Sequence, residues 1–341
     1  MKAEDNKQIN LEKTCCPKCG GTNTKIIIEG KDFLYKVPGV FFVSECMNCG
    51  LWYQNPRPSK NELSNLYPNN YIPHIISSAP NNEPFSPHSQ KLLTFRKRLI
   101  GFIKRESKKF ISWFLIRIGF NRKWESGVDL DPAFVKDGNL LEIGCADGRR
   151  LAALRTKGWD NLHGIELVAT AAEKARSQGF HIEEGMVEEM LQKFPDNYFD
   201  VIVSSMVLEH LYNPFQIVCI IASKLKSGGQ FLFSTITRDS LDAKIYGKYW
   251  GGLDFPRHMV HFRKKDIEGM LKPYFINIKK FHQFAPQDFI RSSSWRIEDK
   301  KTTLFDRFIL KAGMTFSAEV FNKMVAKLNL TCRVSYKCIK K

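Results

Sequence analysis

The 341-residue chain has no run of eighteen apolar residues free of charge, so no membrane-spanning helix is expected. Its first residues, MKAEDNKQINLEK, are polar and mixed in charge. That excludes an apolar secretory leader, so the chain reads as cytoplasmic, where thiols stay reduced. It lacks the P-loop, the G-x-S-x-G elbow and the H-E-x-x-H pair, which excludes three large enzyme classes. Acidic residues are the scarcer charge, 35 against 52 Lys and Arg, for a net +17. The imbalance is local: residues 88–126 carry +9 and 291–341 carry +8, while 127–290 carry −1. A wholly basic surface is thereby excluded, and the charge speaks of local docking. At 43% hydrophobic and 12% aromatic there is ample material for a core.

Nine cysteines in a reducing compartment need a reason other than disulfides. CCPKCG and, 26 residues later, CMNCG place Cys16, Cys19, Cys46 and Cys49 as two C-x2-C pairs. Each pair on a tight turn aims two thiolates at one centre, and two pairs complete a tetrahedral zinc site. With four thiolates the zinc has no open position, so its expected role is structural. Short alternating stretches (25–29, 40–45, 51–54) read as strands of a zinc ribbon. Cys15 is a spare, and Cys145, Cys219, Cys332 and Cys338 sit in apolar stretches as core.

Residues 137–282 alternate strand-like and helix-like segments. Strands are expected at 139–144, 161–167, 180–185, 198–204, 230–235 and 275–281, with helices at 148–158, 169–178, 215–225 and 264–271. This spacing predicts an α/β fold with a doubly wound, mostly parallel sheet, and the ligand at the carboxyl ends of the first strands. The first strand ends in LLEIGCADGRR, whose Gly144 and Gly148 let backbone pass close to a ligand. A dinucleotide fingerprint would need glycine at 146 and 149, where Ala146 and Arg149 stand, so a nicotinamide cofactor is disfavoured. The second strand ends in Glu166, a carboxylate placed to accept both hydroxyls of a ribose.

With those motifs in order, the stretch 140–237 resembles the class I S-adenosylmethionine-dependent methyltransferases, and the likeness extends over about 137–282. LLEIGCADG resembles the family's first motif, with Ala146 in place of its middle glycine, and HGIEL resembles the second. FPDNYFDVIVSSMVLEHLYNP and LKSGGQFLFST resemble its fourth- and fifth-strand regions. The CMNCGLWYQNPRPSKNEL leader resembles one that precedes a bacterial small-molecule and glycan branch. The resemblance implies a Rossmann-like seven-stranded sheet, the last strand (331–339) inserting antiparallel beside the fifth. It implies S-adenosylmethionine as cofactor, held by Glu142, Gly144, Cys145, Ala146, Gly148, Glu166, Leu167, Val187, Glu188 and Ser204. It divides the chain into a ribbon leader (1–58), a helical linker (59–126) and a methyltransferase domain (127–341) with a helical insertion at about 283–330.

Transfer to a hydroxyl needs a base near neutral pKa. His258 is the first candidate, with His210 and His261 behind it; each also has a plainer reading as a histidine bonding only backbone. Arg257 is read either as an anion contact or as the partner of an acid, and Trp250 and Phe255 as pocket aromatics or core. The expected acceptor is a small molecule, sugar or lipid-linked glycan intermediate, methylated at oxygen; the alternatives are a quinone-type O-methyltransferase at the membrane surface, or an RNA-modifying or RNA-binding zinc-ribbon protein. Residues 91–118 form a basic amphipathic pattern, suited to peripheral membrane contact or to packing on the chain's own domain. Nucleic acid is disfavoured as a partner, because SSMVLEH lacks the proline-proline-aromatic motif of base N-methyltransferases.

Overall fold

The computed structural model describes residues 9–67, 130–283, 285–312 and 324–341. All of these lie in one unit built from 1–75 and 128–341; a second unit, 76–127, which contains the basic segment 91–118, lies outside the described residues. Among the described residues no helix is long and apolar enough to cross a membrane.

The cysteine segment forms β1 (Leu11–Glu12), β2 (Thr24–Gly30), β3 (Phe41–Cys46), β4 (Trp52–Gln54) and β5 (Arg57–Pro58), followed by the short helix α1 (Leu63–Leu66). β2, β3 and β4 pair antiparallel in sequence order, while β1 pairs with β5. β3 shows why: Phe41, Val43 and Cys46 are buried and alternate with partly exposed Phe42 and Glu45.

The rest of the chain supplies β6 (Asn139–Ile143), α2 (Arg149–Arg155), β7 (Asn161–Glu166), α3 (Ala169–Arg176), β8 (His181–Glu184), α4 (Val187–Met190) and β9 (Phe199–Ser205). These are followed by α5 (Pro214–Lys224), β10 (Leu225–Ile236), α6 (Leu241–Tyr246), β11 (Val260–His261), α7 (Lys264–Leu271) and β12 (Phe275–His282). The described elements end with α8 (Pro286–Glu298), α9 (Leu304–Ala312) and β13 (Arg333–Lys340). Seven strands form one sheet in the order β12-β13-β10-β9-β6-β7-β8. Only β13 runs antiparallel to its neighbours, between β10 and β12, as the family likeness implies. The sheet is Rossmann-like. β6 lies inside it, between β9 and β7, with Leu140 to Ile143 buried, which is why residues 140–143 are apolar except for Glu142. Strand order reverses between β6 and β9, so their following loops diverge and leave a crevice at the carboxyl ends.

The ribbon does not stand apart from this sheet. β11, from the loop after β10, pairs antiparallel with β4 (Val260 opposite Tyr53, His261 opposite Trp52) and so becomes an edge strand of the ribbon. Gln54 Nε2 donates to the carbonyls of Pro256 and His258 at 2.9 and 2.8 Å. The Tyr212 hydroxyl donates to Pro58 O at 2.9 Å, and Arg263 donates to Cys49 O at 2.8 Å. Phe255 stacks on Phe41 and lies so close to Gly30 that a Cβ there would come within 2.7 Å of its ring. Ribbon residues Phe41, Val43, Leu51 and Tyr53 belong to the same apolar core as Phe231 and Phe233 of the sheet.

At the centre of this seam is Arg257, whose side chain is fully buried. Two of its nitrogens donate to the two oxygens of Asp32 at 2.8 and 2.9 Å, and it also donates to Asp254 Oδ1 at 2.7 Å. Arg257 therefore pairs with acids, the second of its two sequence readings. Trp250 and Phe255 are likewise core: Trp250 is buried and donates to Asp242 Oδ2 at 2.8 Å. Removing one partner of a buried, hydrogen-bonded ion pair leaves an uncompensated charge and costs about 3–5 kcal/mol. Asp32→Ala is expected to lower unfolding free energy by about that amount in urea titrations; a loss below about 1 kcal/mol, the level of an exposed pair, would contradict the role assigned to the seam.

Candidate active site and cysteine centre

The sulfurs of Cys16, Cys19, Cys46 and Cys49 lie within 4.8 Å of one another, with Cys16–Cys49 at 3.6 Å and Cys19–Cys46 at 3.5 Å. A tetrahedron of sulfurs about 2.3 Å from a zinc has edges of roughly this length. Gly20 and Gly50 take positive φ (71° and 69°) at the two turns, and each donates its N–H to the carbonyl of the first cysteine of its pair. Burial raises the Cys46 thiol, but the N–H groups of Cys49 and Asn48 outweigh it and bring it down to about 7. Four soft donors with turn amides aimed at them fit zinc. Cys15 is exposed and outside the cluster.

A cavity of about 480 Å³ opens at the carboxyl ends of β6, β7 and β9. That is within the range of small-molecule sites. One end is built by the loop after β6. Gly144, Ala146 and Gly148 all take positive φ there (73°, 48° and 81°), and a Cβ at Gly144 would sit 2.6 Å from Val207. Ala146 holds its left-handed conformation with its N–H donated to Glu166 Oε2 at 2.8 Å. Glu166 Oε1 accepts from Val168 N at 2.8 Å, so the carboxylate is fixed at the end of β7. Leu167, Val187 and Glu188 complete this end, and Glu188 Oε1 is buried with no hydrogen-bond partner among the described residues.

Four expected cofactor residues do not line the cavity. Glu142 turns to Arg150 Nε at 2.8 Å, and burial pushes its carboxyl up to about 7. The Cys145 sulfur packs toward Gly164, and Gly148 packs toward Ala175 and Phe180. Ser204 is fully buried within β9, and its neighbour Ser205 lines the cavity instead. Strand alternation accounts for this: successive side chains of β9 point to opposite faces.

The other end is walled by the turn Leu208–His210, the loop before β11, α8 and the ribbon. His210 Nδ1 lies 3.0 Å from the Tyr67 hydroxyl, and its ring meets that of His258 edge-on at 4.5 Å. His258 Nδ1 lies 2.9 Å from Gly252 O. A carbonyl only accepts, so Nδ1 carries the proton and Nε2 the lone pair, 3.6 Å from Asp254 Oδ2. Burial, with His210 beside it, holds His258 well below the usual histidine range, Asp254 opposing. Burial likewise brings His210 down to about 4. Burial raises Asp254, but Arg257 and His258 outweigh it and keep it well below the carboxylate range. His261 is fully buried on β11 and does not line the cavity. Glu209, His210 and His258 also bring three ligand-capable atoms within 4.8 Å, and Glu209, pushed up to about 7 by burial, accepts from Thr235 at 2.8 Å.

Sequence reasoning assigned no role to several lining residues. Leu34 and Tyr35 come from the ribbon, Tyr67 from beyond it, and Arg291 from α8. Asp254 had one local signal, its place four residues before His258. The others are joined to the site only by tertiary packing.

Residues 117–274 match the family model of a methyltransferase domain. The matched region is a methyltransferase domain of the class I fold. A ubiquinone biosynthesis O-methyltransferase of Klebsiella pneumoniae is 29% identical over 144 residues, covering 39% of this chain and 56% of that protein. A ribosomal protein L11 methyltransferase of Burkholderia vietnamiensis is 29% identical over 119 residues, covering 34% and 38%. A putative methyltransferase structure from Bacillus halodurans shares 20% identity over 63% of this chain and 98% of that one, with a TM-score of 0.44. The chain spans about half the length of the ubiquinone-pathway relatives it matches. The domain match ends before α8 and excludes the ribbon.

Metal analysis of the protein purified from zinc-containing medium is expected to give about one zinc per chain. Cys46→Ser should lose it and Cys15→Ser should keep it. Equal zinc content in the two variants would contradict the four-cysteine assignment.

Proposed function

We propose that the chain transfers a methyl group from S-adenosylmethionine to a hydroxyl of a small-molecule acceptor, with His258 as the general base. The observation that carries this reading is one cavity with a nucleoside-type cradle at one end and an unprotonated imidazole nitrogen at the other. The residues at the first end fit the cofactor: a glycine whose Cβ would fill the cradle, a fixed carboxylate at Glu166 and an unsatisfied buried oxygen at Glu188. When bound, S-adenosylmethionine supplies the electrophilic methyl on a sulfonium.

The chain's own residues have three tasks. Glu166 accepts from the ribose hydroxyls while its two backbone donors keep it in place. Buried Leu211, Tyr212 and Ile236 exclude water from the acceptor end. His258 Nε2 takes the hydroxyl proton, and the Asp254 carboxylate beside it stabilises the imidazolium that forms. Its lowered proton affinity departs from the near-neutral base expected from the sequence: it keeps the imidazole unprotonated at neutral pH but makes it a weaker proton acceptor, which the Asp254 carboxylate offsets as the imidazolium forms. His210 and Tyr67 position the face of His258 rather than relay the proton.

A quinone-type acceptor is the second reading. It is favoured by the ubiquinone-pathway relatives and by the apolar side chains on the cavity wall. Peripheral membrane contact through 91–118 would suit either a quinone or a lipid-linked acceptor.

Two measurements test the reading. Glu166→Ala removes charged hydrogen bonds worth about 1.5–3 kcal/mol, so calorimetry should show at least tenfold weaker S-adenosylmethionine binding; unchanged affinity would contradict the cofactor assignment. With methyl-labelled cofactor and a panel of phenols and sugars, kcat should stay level down to the ordinary histidine value of 6.5 and fall only below it. The sign follows from the lowered His258, which needs more acid to be protonated and disabled. His258→Ala should cost about 10²–10⁴ in kcat with cofactor affinity unchanged. An acid limb above pH 7, or full activity in the variant, would rule His258 out as base.

A further inference from the structure

The acceptor end of the cavity contains two carboxylates and two guanidiniums, and all but one of these groups are already engaged. Asp254 is held by Arg257. Asp288, near the start of α8, accepts from Arg333 through both oxygens, at 2.7 and 2.9 Å. Arg291, one turn further along α8, has no hydrogen bond and no ion pair among the described residues. It is partly exposed, it lines the cavity, and its stem crosses Gly251 so closely that a Cβ there would lie 3.2 Å from its Cδ. Gly252, the next residue, is the one whose carbonyl orients His258. The unused guanidinium therefore belongs to the same wall as the base.

The local charges decide what the guanidinium can take. Asp32, Asp254 and Asp288 stand opposite Arg257, Arg291 and Arg333, three carboxylates to three guanidiniums, and the neighbouring carboxyls of Glu209 and Asp242 are pushed up by burial toward their uncharged form. Asp254 and Asp288 both feel Arg291, yet neither is within ion-pair distance of it. A planar monoanion can use the free fork bidentately and adds one charge. A dianionic phosphate would add two beside two carboxylates already ionised, which is a poorer match.

We infer that Arg291 is a specificity residue that binds a carboxylate on the acceptor, so that the accepted substrate is a hydroxylated carboxylic acid. This rests on the methyltransferase reading for the reaction, but the recognition itself is a binding property. α8 lies outside the matched domain, so the specificity is carried by this chain's own C-terminal part.

The test uses binding alone. The full chain, saturated with S-adenosylhomocysteine, is titrated by ligand-observed NMR with benzoate, benzamide and phenyl phosphate. Benzoate should bind at least fivefold more tightly than benzamide and more tightly than phenyl phosphate. Arg291→Gln should abolish the benzoate preference while leaving benzamide and the thermal midpoint unchanged, and Arg291→Lys should retain part of it. Equal binding of benzoate and benzamide, a preference for phenyl phosphate, or a preference that survives Arg291→Gln would overturn the inference. Failure of S-adenosylhomocysteine to bind is a separate result: it would count against the methyltransferase reading, while the benzoate comparison still decides the Arg291 assignment.

Discussion

One buried guanidinium fixes both walls of the acceptor end. Arg257 reaches Asp32 on one side and Asp254 on the other, with no exposure to water. Asp32 in turn accepts from the N–H groups of Leu34, Tyr35 and Val37, and so shapes the ribbon loop whose Leu34 and Tyr35 line the cavity. Asp254 stands beside His258 and opposes the lowering that burial and His210 impose on that imidazole. Burying three charges together is expensive and is tolerated when every donor and acceptor is matched. Here the fork of Arg257 also reaches the carbonyl of Phe255. The arrangement favours specificity of geometry over stability: a loop and a ribbon far apart in sequence are held in one register.

This makes the cysteine centre part of the site's architecture. Its four sulfurs hold the turns from which β3 and β4 run, β4 carries β11 as its neighbour, and β11 follows directly on the His258 loop. The two basic excesses of the sequence fall outside this machinery for the most part. Two cations of the C-terminal block, Arg291 and Arg333, point into the cavity; the block at 88–126 lies outside the described residues.

The sheet was legible in the sequence because its signals are local. Strand-like stretches, two of them closed by Gly144 and Gly185, place β6 to β8 within a residue or two of their observed bounds. One end of the cavity was legible for the same reason, since its lining residues Gly144, Ala146 and Glu166 belong to short motifs. Glu142, Cys145 and Ser204 belong to the same motifs but do not line the cavity: a motif names the neighbourhood, and local packing decides which side chain reaches the cavity. The acceptor end was poorly legible. Asp32 and Arg257 are 225 positions apart, and Tyr67 is 143 from His210, so no periodicity connects them. Arg257 alone could not reveal whether it waits for a ligand or is already paired, and Arg291, which has no partner among the described residues, had no motif to announce it.

The ribbon and the His258 loop form one structural element joined to the sheet. Hydrogen exchange read by mass spectrometry, comparing zinc-loaded with zinc-stripped protein, tests it most directly. Loss of protection in residues 249–262 together with 24–54, while β6 and β9 stay protected, is the expected result. Unchanged protection of 249–262 after the ribbon opens would contradict the claim and would make the ribbon an independent appendage.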